Sequence, residues 1–301
     1  MSRIHPTAFV DPQAELAADV TVGPFCYIGP GVVVGAGCVL HSHVTLTGPL
    51  EIGPENTFHS QSVIGAAPQD LKYKGGPTRV VIGRGNLFRE LVTVHRGTEV
   101  DRHSGGVTRI GDNNLLMVGV HIAHDAQIDD HVILANFVQV AGHVHIESCV
   151  NVGGISAMHH FVTVGRYAFV GGMTRLTADV PPYMKVSGYE ALVRGVNAEG
   201  MRRWKLPDDS VTAMKGAYRL LFARRAQRQA GQTLAALTEL ESNGAMQDQH
   251  VRYLVEFIRR QMQDGVFGRS LERARADRPE DRAHFYQAAE PGGSDGSEKH
   301  E

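Results

Sequence analysis

The 301-residue sequence is short of several features that would assign it quickly, and each shortage excludes a class of protein. Its three cysteines, Cys26, Cys38 and Cys149, are too few and too scattered for a disulfide framework or a zinc knuckle. They read as small core residues in a reducing compartment. Nowhere do 18 apolar residues run together, and the N-terminal MSRIHPTAFVDPQ lacks the apolar stretch of a secretory signal. The expectation is a cytoplasmic protein without membrane insertion. Charge of one sign is also missing: 30 Lys and Arg against 32 Asp and Glu leave a net charge of -2. No global field recruits nucleic acid or an anionic membrane, so a charged partner must be met by a local patch. What is present is 42% hydrophobic residues, enough for a sizeable core, and 34 glycines that cluster before position 200 and imply many tight turns there.

The apolar residues recur with a period of six. From Ile4 the series runs through Val10, Leu16, Val22, Ile28, Val34, Leu40, Leu46, Ile52, Phe58 and Ile64 without a slip. It continues at Ile82, Phe88 and Val94, shifts phase across a loop, and resumes from Ile110 through Ile122, Val140 and Met158 to Leu176. Six matches neither the 3.6 of a helix nor simple alternation, but it fits short strands joined by turns. Three such units make a triangular coil of 18 residues, and stacked coils form a parallel β-helix. The period does not set its hand.

Two segments break the repeat, 66–81 and 99–109, and loops that interrupt a solenoid project from one face, where function gathers. The pattern ends at Asp179-Val180-Pro181-Pro182. Beyond Pro207, Asp208 or Asp209 is placed to cap a helix through Val211, Met214, Ala217, Tyr218 and Leu221. Further helices are expected near 233–241 and 248–263, the latter with an apolar stripe of Val251, Leu254, Val255 and Ile258. The expected division is therefore a β-helix over 1–190, a small α-helical domain over 191–268, and a disordered tail over 269–301.

The stretch His121-Ile122-Ala123-His124-Asp125 carries the densest chemistry. Because Ile122, Val140 and Met158 are one coil apart, His121, His124, His143 and His159 fall near one edge of the prism on successive coils. Three uses of such an edge are open on the residues alone. Neutral His124 could take a proton from a substrate hydroxyl; three histidines could bind zinc and activate water, as in a carbonic anhydrase on this kind of solenoid; or the histidines could serve a non-catalytic scaffold.

Together with the hexads, GPFCYIGP (23–30), PQDLKYKGGPTRV (68–80), TVHRGT (93–98), NLLMVGVHIAHD (114–125), ILANFVQVAGHV (133–144) and DVPPY (179–183) resemble the acyl-ACP:UDP-N-acetylglucosamine O-acyltransferases, over about residues 4 to 265. The resemblance implies a left-handed β-helix and a homotrimer with active sites between subunits. It also implies transfer of a 3-hydroxyacyl group from acyl carrier protein to the glucosamine 3-position of UDP-N-acetylglucosamine, the first step of lipid A synthesis, with no metal or cofactor. Carried onto this chain, it makes His124 the general base, Asp125 its orienter, and the Gly142 N–H a donor to the thioester oxyanion. Gln69, Asp70, Lys72, His121, His143 and His159 become sugar and acyl contacts, and Asn197, Glu199 and Arg203 nucleotide contacts. Gly172, with Met173 beside it, matches the position that sets acyl length, a glycine there leaving room for a long chain.

The chain departs from that pattern at His160, where a glutamine is usual, and at Trp204, where a second arginine would follow Arg203. The first bears on whether the acceptor carries a 3-hydroxyl or a 3-amino group. A basic patch for the acidic carrier protein is expected from Arg202, Arg203, Lys205, Lys215, Arg219, Arg224 and Arg225.

Overall fold

A computed structural model describes residues 3–100, 104–222, 230–275 and 280 of the chain. Each six-residue unit forms a strand of mostly two residues followed by a turn, and every third strand pairs with its equivalent on the next coil. Three sheets result: a first face of eleven strands from Arg3–Ile4, a second of nine from Phe9–Val10, and a third of eight from Glu15–Leu16. Pairing is parallel except where Met184–Ser187 meets Leu192–Val196, an antiparallel hairpin at the end of the first face. The expected register holds, with Ile122 opposite Val140 and Val140 opposite Met158. In a two-residue strand one side chain points in and one out, so the anchors fill the prism. Leu46, Ile64, Ile122, Val140 and Val152 are all fully buried.

The two interruptions explain the phase of the hexads. Ile64 pairs with Val94 and Val94 with Ile122, spacings of 30 and 28 residues rather than 18. The first excess is twelve, two whole units, so the phase survives it. The second is ten, which is not a multiple of six, and the phase moves. Both loops are shorter than the sequence implied, because Val63–Ala66, Arg79–Ile82 and Val107–Ile110 are strands that extend into them.

Beyond the hairpin the described residues form four α-helices: α1 (Ala198–Arg203), α2 (Asp208–Leu221), α3 (Ala230–Ser242) and α4 (Gln249–Asp264). Neither Asp208 nor Asp209 caps α2. Pro207 holds that position, and the two carboxylates sit inside the first turn, where they favour the positive end of the helix dipole. Asp248 does cap α4, accepting from the N–H groups of His250 and Val251 at 2.9 Å each. Met201, Met214, Leu237 and Leu254 join the same apolar core as the solenoid, so the change of architecture brings no break in the core.

The tail expected from residue 269 begins as ordered chain. Asp179 receives the Thr163 N–H on one carboxylate oxygen and the Ser270 N–H on the other, each at 2.7 Å, while Arg269 is buried and donates to the Thr177 carbonyl at 2.9 Å. A short 3-10 turn, Ser270–Ala274, follows. Composition alone could not reveal this, because the segment is held by a buried ion and backbone bonds rather than by an apolar stripe. Residues 276–279 and 281–301 lie outside the described residues, as do Arg224 and Arg225.

Candidate active site

The corner between the second and third faces carries the histidine edge. Each turn there ends on a residue with positive φ: Asp125 at 59°, His143 at 61° and Phe161 at 64°. His124, Gly142 and His160 precede them on the same three coils, one above another. The Gly142 position has a physical explanation: a Cβ there would meet His124 Cε1 at 2.5 Å and Nε2 at 2.6 Å. Only glycine lets the imidazole lie across the next coil. Among the described residues the Gly142 N–H has no acceptor within the chain, so it is available to a ligand.

Asp125 fixes that imidazole. His124 Nδ1 lies 2.8 Å from Asp125 Oδ2, and the carboxylate is itself over-determined from the second interrupting loop. The Thr98 N–H reaches both oxygens at 3.0 Å, the Thr98 hydroxyl donates to Oδ2 at 2.8 Å, and the Ser104 hydroxyl donates to Oδ1 at 2.6 Å. The Thr108 hydroxyl accepts the Asp125 N–H at 2.8 Å. This carboxylate is fully buried and its acceptor sites are filled, which directs the Nδ1–H of neutral His124 toward it and leaves the lone pair on Nε2.

Nε2 faces the first interrupting loop. Asp70 Oδ2 stands 3.4 Å from it and 3.1 Å from Lys72 Nζ. Burial alone would raise the Asp70 carboxyl, but Lys72, through hydrogen bonds and charge, and His124 hold it below its ordinary range. Asp70 therefore remains ionised near neutrality and is placed to stabilise an imidazolium formed at His124. Arg96 fastens the root of this loop by donating to the carbonyls of Gly48 and Gly65 at 3.1 and 2.6 Å, and reaches into it by donating to the Tyr73 hydroxyl at 3.3 Å. Glu99 ties the loops together by accepting the Lys74 N–H at 2.7 Å.

His121 lies on the strand just before, its Nδ1 2.8 Å from the Thr93 hydroxyl. Burial, with His95 and His124 close by, lowers its pKa to about 4. His143 packs flat on Phe161, centroids 4.4 Å apart, and edge-on to His124 at 5.0 Å. The His159 ring lies against that of His160, centroids 3.8 Å apart and tilted by 39°, and the His160 pKa is also lowered to about 4, chiefly by burial.

Both His121 and His160 are neutral in the fold at pH values where they would be half-charged in an unfolded chain. Their contribution to stability is complete above about pH 6.5 and is lost as pH falls through about 4. Buried Asp179, raised to about 6, acts in the opposite direction, so the variant comparison is the informative one. The wild-type melting temperature is expected to fall between pH 6.5 and 4, and to fall less in His121→Gln/His160→Gln. Equal slopes in a thermal-melt series would contradict this.

A metal is tested by the same contacts. His124, Asp125 and His143 place ligand atoms within 4.8 Å of one another, close enough to draw together round an ion. However, Asp125 is already saturated by Thr98, Ser104 and His124, and His143 Nε2 remains 3.9 Å from it. Binding zinc would cost the His124–Asp125 hydrogen bond and at least one hydroxyl contact. The donor set fits a base and its orienter better than a metal centre.

The other expected site residues are elsewhere. Gln69 is exposed on the first loop. Asn197, Glu199 and Arg203 line a cavity of about 510 Å³ on the first face. There the Asn197 side chain is the N-cap of α1, accepting from the Gly200 N–H at 3.1 Å, and also donates to the Tyr167 carbonyl at 2.9 Å. Glu199 and Arg203 form an exposed i,i+4 pair at 3.2 Å. Gly172 and Met173 occupy the corner between the first and second faces, where Phe137, Ile155 and Met173, one coil apart, are 50%, 64% and 74% exposed. Sequence reasoning missed Thr98, Ser104, Thr108 and Arg96. Two of them stand in the TVHRGT stretch, but nothing in their spacing ties them to Asp125, 27 positions on from Thr98.

A family profile for bacterial transferase hexapeptide repeats matches residues 1–36, 14–48 and 108–142, which places the solenoid among the hexapeptide transferases. A second profile, UDP N-acetylglucosamine O-acyltransferase domain 2, matches 179–267. The acyl-[acyl-carrier-protein]–UDP-N-acetylglucosamine O-acyltransferase of Saccharophagus degradans is 45% identical over 79% of this chain and 89% of its own length. The Paraburkholderia phymatum enzyme of the same name is 40% identical over 88% and 99%. Among solved structures, LpxA from Acinetobacter baumannii superposes with a TM-score of 0.78 at 42% identity, covering 84% of this chain and 95% of that one. An Arabidopsis UDP-N-acetylglucosamine acyltransferase does so with a TM-score of 0.76 at 34% identity, covering 87% and 97%. The chain belongs to the acyl-[acyl-carrier-protein]–UDP-N-acetylglucosamine O-acyltransferase family.

Proposed function

We propose that this protein transfers a 3-hydroxyacyl group from acyl carrier protein to the 3-position of UDP-N-acetylglucosamine, opening lipid A biosynthesis in the cytoplasm. The observation that carries the mechanism is the His124 imidazole, fixed on buried Asp125 and lying over Gly142. His124 Nε2 takes the proton of the sugar hydroxyl as its oxygen attacks the thioester carbonyl. The resulting oxyanion accepts the Gly142 N–H, and Asp70 and Asp125 stabilise the imidazolium. Collapse breaks the C–S bond, and His124 returns the proton to the carrier thiolate. The chain's own residues complete the cycle without a metal, so a chelator is expected to leave turnover unchanged.

The catalytic corner, between the second and third faces, is separate from the cavity with Asn197, Glu199 and Arg203 on the first face. That separation supports a homotrimer in which one subunit supplies the base and a neighbour the nucleotide contacts, since a heterologous contact closes as a ring. The exposed ridge of Phe137, Ile155 and Met173 beside Gly172 is apolar surface suited to an acyl chain. Arg202, Lys205, Lys215 and Arg219 supply exposed cations for the acidic carrier.

Thr98 and Ser104 are positioning residues in this reading. Thr98→Val/Ser104→Ala is expected to lower kcat roughly tenfold to a hundredfold with little change in KM, because it removes two charge-assisted hydrogen bonds from Asp125. An unchanged kcat would sever the loop from catalysis. The proposed function itself is tested by assaying the purified protein with UDP-N-acetylglucosamine and its 3-amino analogue against carrier proteins bearing 3-hydroxyacyl chains of graded length. Acylated UDP-N-acetylglucosamine is the expected product, with a long chain preferred over a short one. Transfer to neither acceptor would overturn it.

A further inference from the structure

The first-face cavity has an aromatic wall that the family pattern does not supply. Its floor is a ladder of outward side chains in register, Ile133, Asn151, Phe169 and Lys185. One side is α1, and at the end of α1 stands Trp204, 43% exposed and lining the cavity. Its backbone is set by the helix: the Trp204 N–H donates to the Gly200 carbonyl at 3.1 Å. The His131 ring braces the indole, centroids 5.1 Å apart at 58°. The indole is thus a large, positioned π-surface over a partly apolar floor, and the cationic Lys185 and Arg203 line the same cavity.

We propose that Trp204 is a specificity-determining residue of the acceptor site, stacking on the uracil ring of the UDP-sugar. This rests on the reading of UDP-N-acetylglucosamine as acceptor. An arginine after Arg203 would attract the diphosphate by charge, whereas an indole binds the planar base by face contact and is indifferent to the phosphate charge. The chain therefore moves part of its acceptor affinity from the diphosphate to the base. Removing an aromatic platform under a base weakens binding by roughly tenfold to a hundredfold.

Trp204 is the only tryptophan of the chain, so its fluorescence reports this site alone. The full-length protein is titrated with UDP-N-acetylglucosamine, UDP and N-acetylglucosamine 1-phosphate, with calorimetry in parallel. UDP and UDP-N-acetylglucosamine are expected to change the emission saturably with the calorimetric Kd, and the sugar phosphate to leave it unaltered. Trp204→Phe should bind within a few fold of wild type. Trp204→Ala should raise the KM for UDP-N-acetylglucosamine at least tenfold while kcat holds, with an unaltered melting temperature showing that α1 is intact. Calorimetric binding without an emission change, or an unchanged KM in Trp204→Ala, overturns the role of Trp204 and leaves the acceptor reading standing. Absence of calorimetric binding by any uridine nucleotide overturns the acceptor reading and this inference together.

Discussion

His124→Ala is expected to lower kcat by about 10² to 10⁴, the range contributed by a positioned general base, with little change in KM for either substrate. The substitution leaves the surrounding contacts in place. Asp125 keeps its bonds from Thr98 and Ser104, so the loop that buries it stays in place. Asp70 keeps Lys72 as its partner. The inward anchor of that coil, Ile122, is untouched and fully buried, so the stack of coils is not weakened. A loss of transfer in His124→Ala therefore reports chemistry rather than folding, provided that the melting temperature is checked alongside kcat.

Gly142→Val should be nearly as damaging, for a different reason. Its backbone is not in the left-handed region, so the substitution costs no unusual φ. The cost is contact, since even a Cβ would fall 2.5 Å from His124 Cε1. The imidazole must swing away, leaving its Asp125 bond, and the branched side chain also crowds the N–H proposed to donate to the oxyanion. Misplacing a catalytic group by about 1 Å can cost on the order of 10²-fold, and losing an oxyanion donor costs 10²- to 10³-fold. Gly142→Val is expected to fall at least about 10²-fold in kcat, with Gly142→Ala intermediate. Near-normal turnover in Gly142→Val would show that the imidazole does not work from the position seen here.

Much of the fold was legible because its rule is written in every coil. An apolar residue each sixth position is both the sequence signal and the physical contact that stacks Ile122 on Val140 and Met158, so reading one gives the other. The histidine edge was legible for the same reason, as 18 residues in sequence equal one coil in space. What escaped were contacts outside the repeat. Thr98 and Ser104 reach Asp125 from a loop whose length obeys no period, and Pro207 rather than an aspartate opens α2. Asp179 and Arg269 fasten the C-terminal segment across about 90 residues. Asn197 shows the converse. Its side chain caps α1 and donates to the Tyr167 carbonyl, a structural use that the sequence pattern did not reveal, and it keeps one amide N–H for the cavity.

The central claim is that His124 drives acyl transfer to the UDP-sugar. Its most direct test is a mass measurement on the UDP-sugar after purified protein is mixed with 3-hydroxyacyl carrier protein and UDP-N-acetylglucosamine. Wild type should add one hydroxyacyl group to the sugar for each carrier thiol released, and equally stable His124→Ala should add almost none. Acylated sugar formed at an undiminished rate by the variant, or thioester consumed by wild type with no mass gained by the sugar, would contradict it.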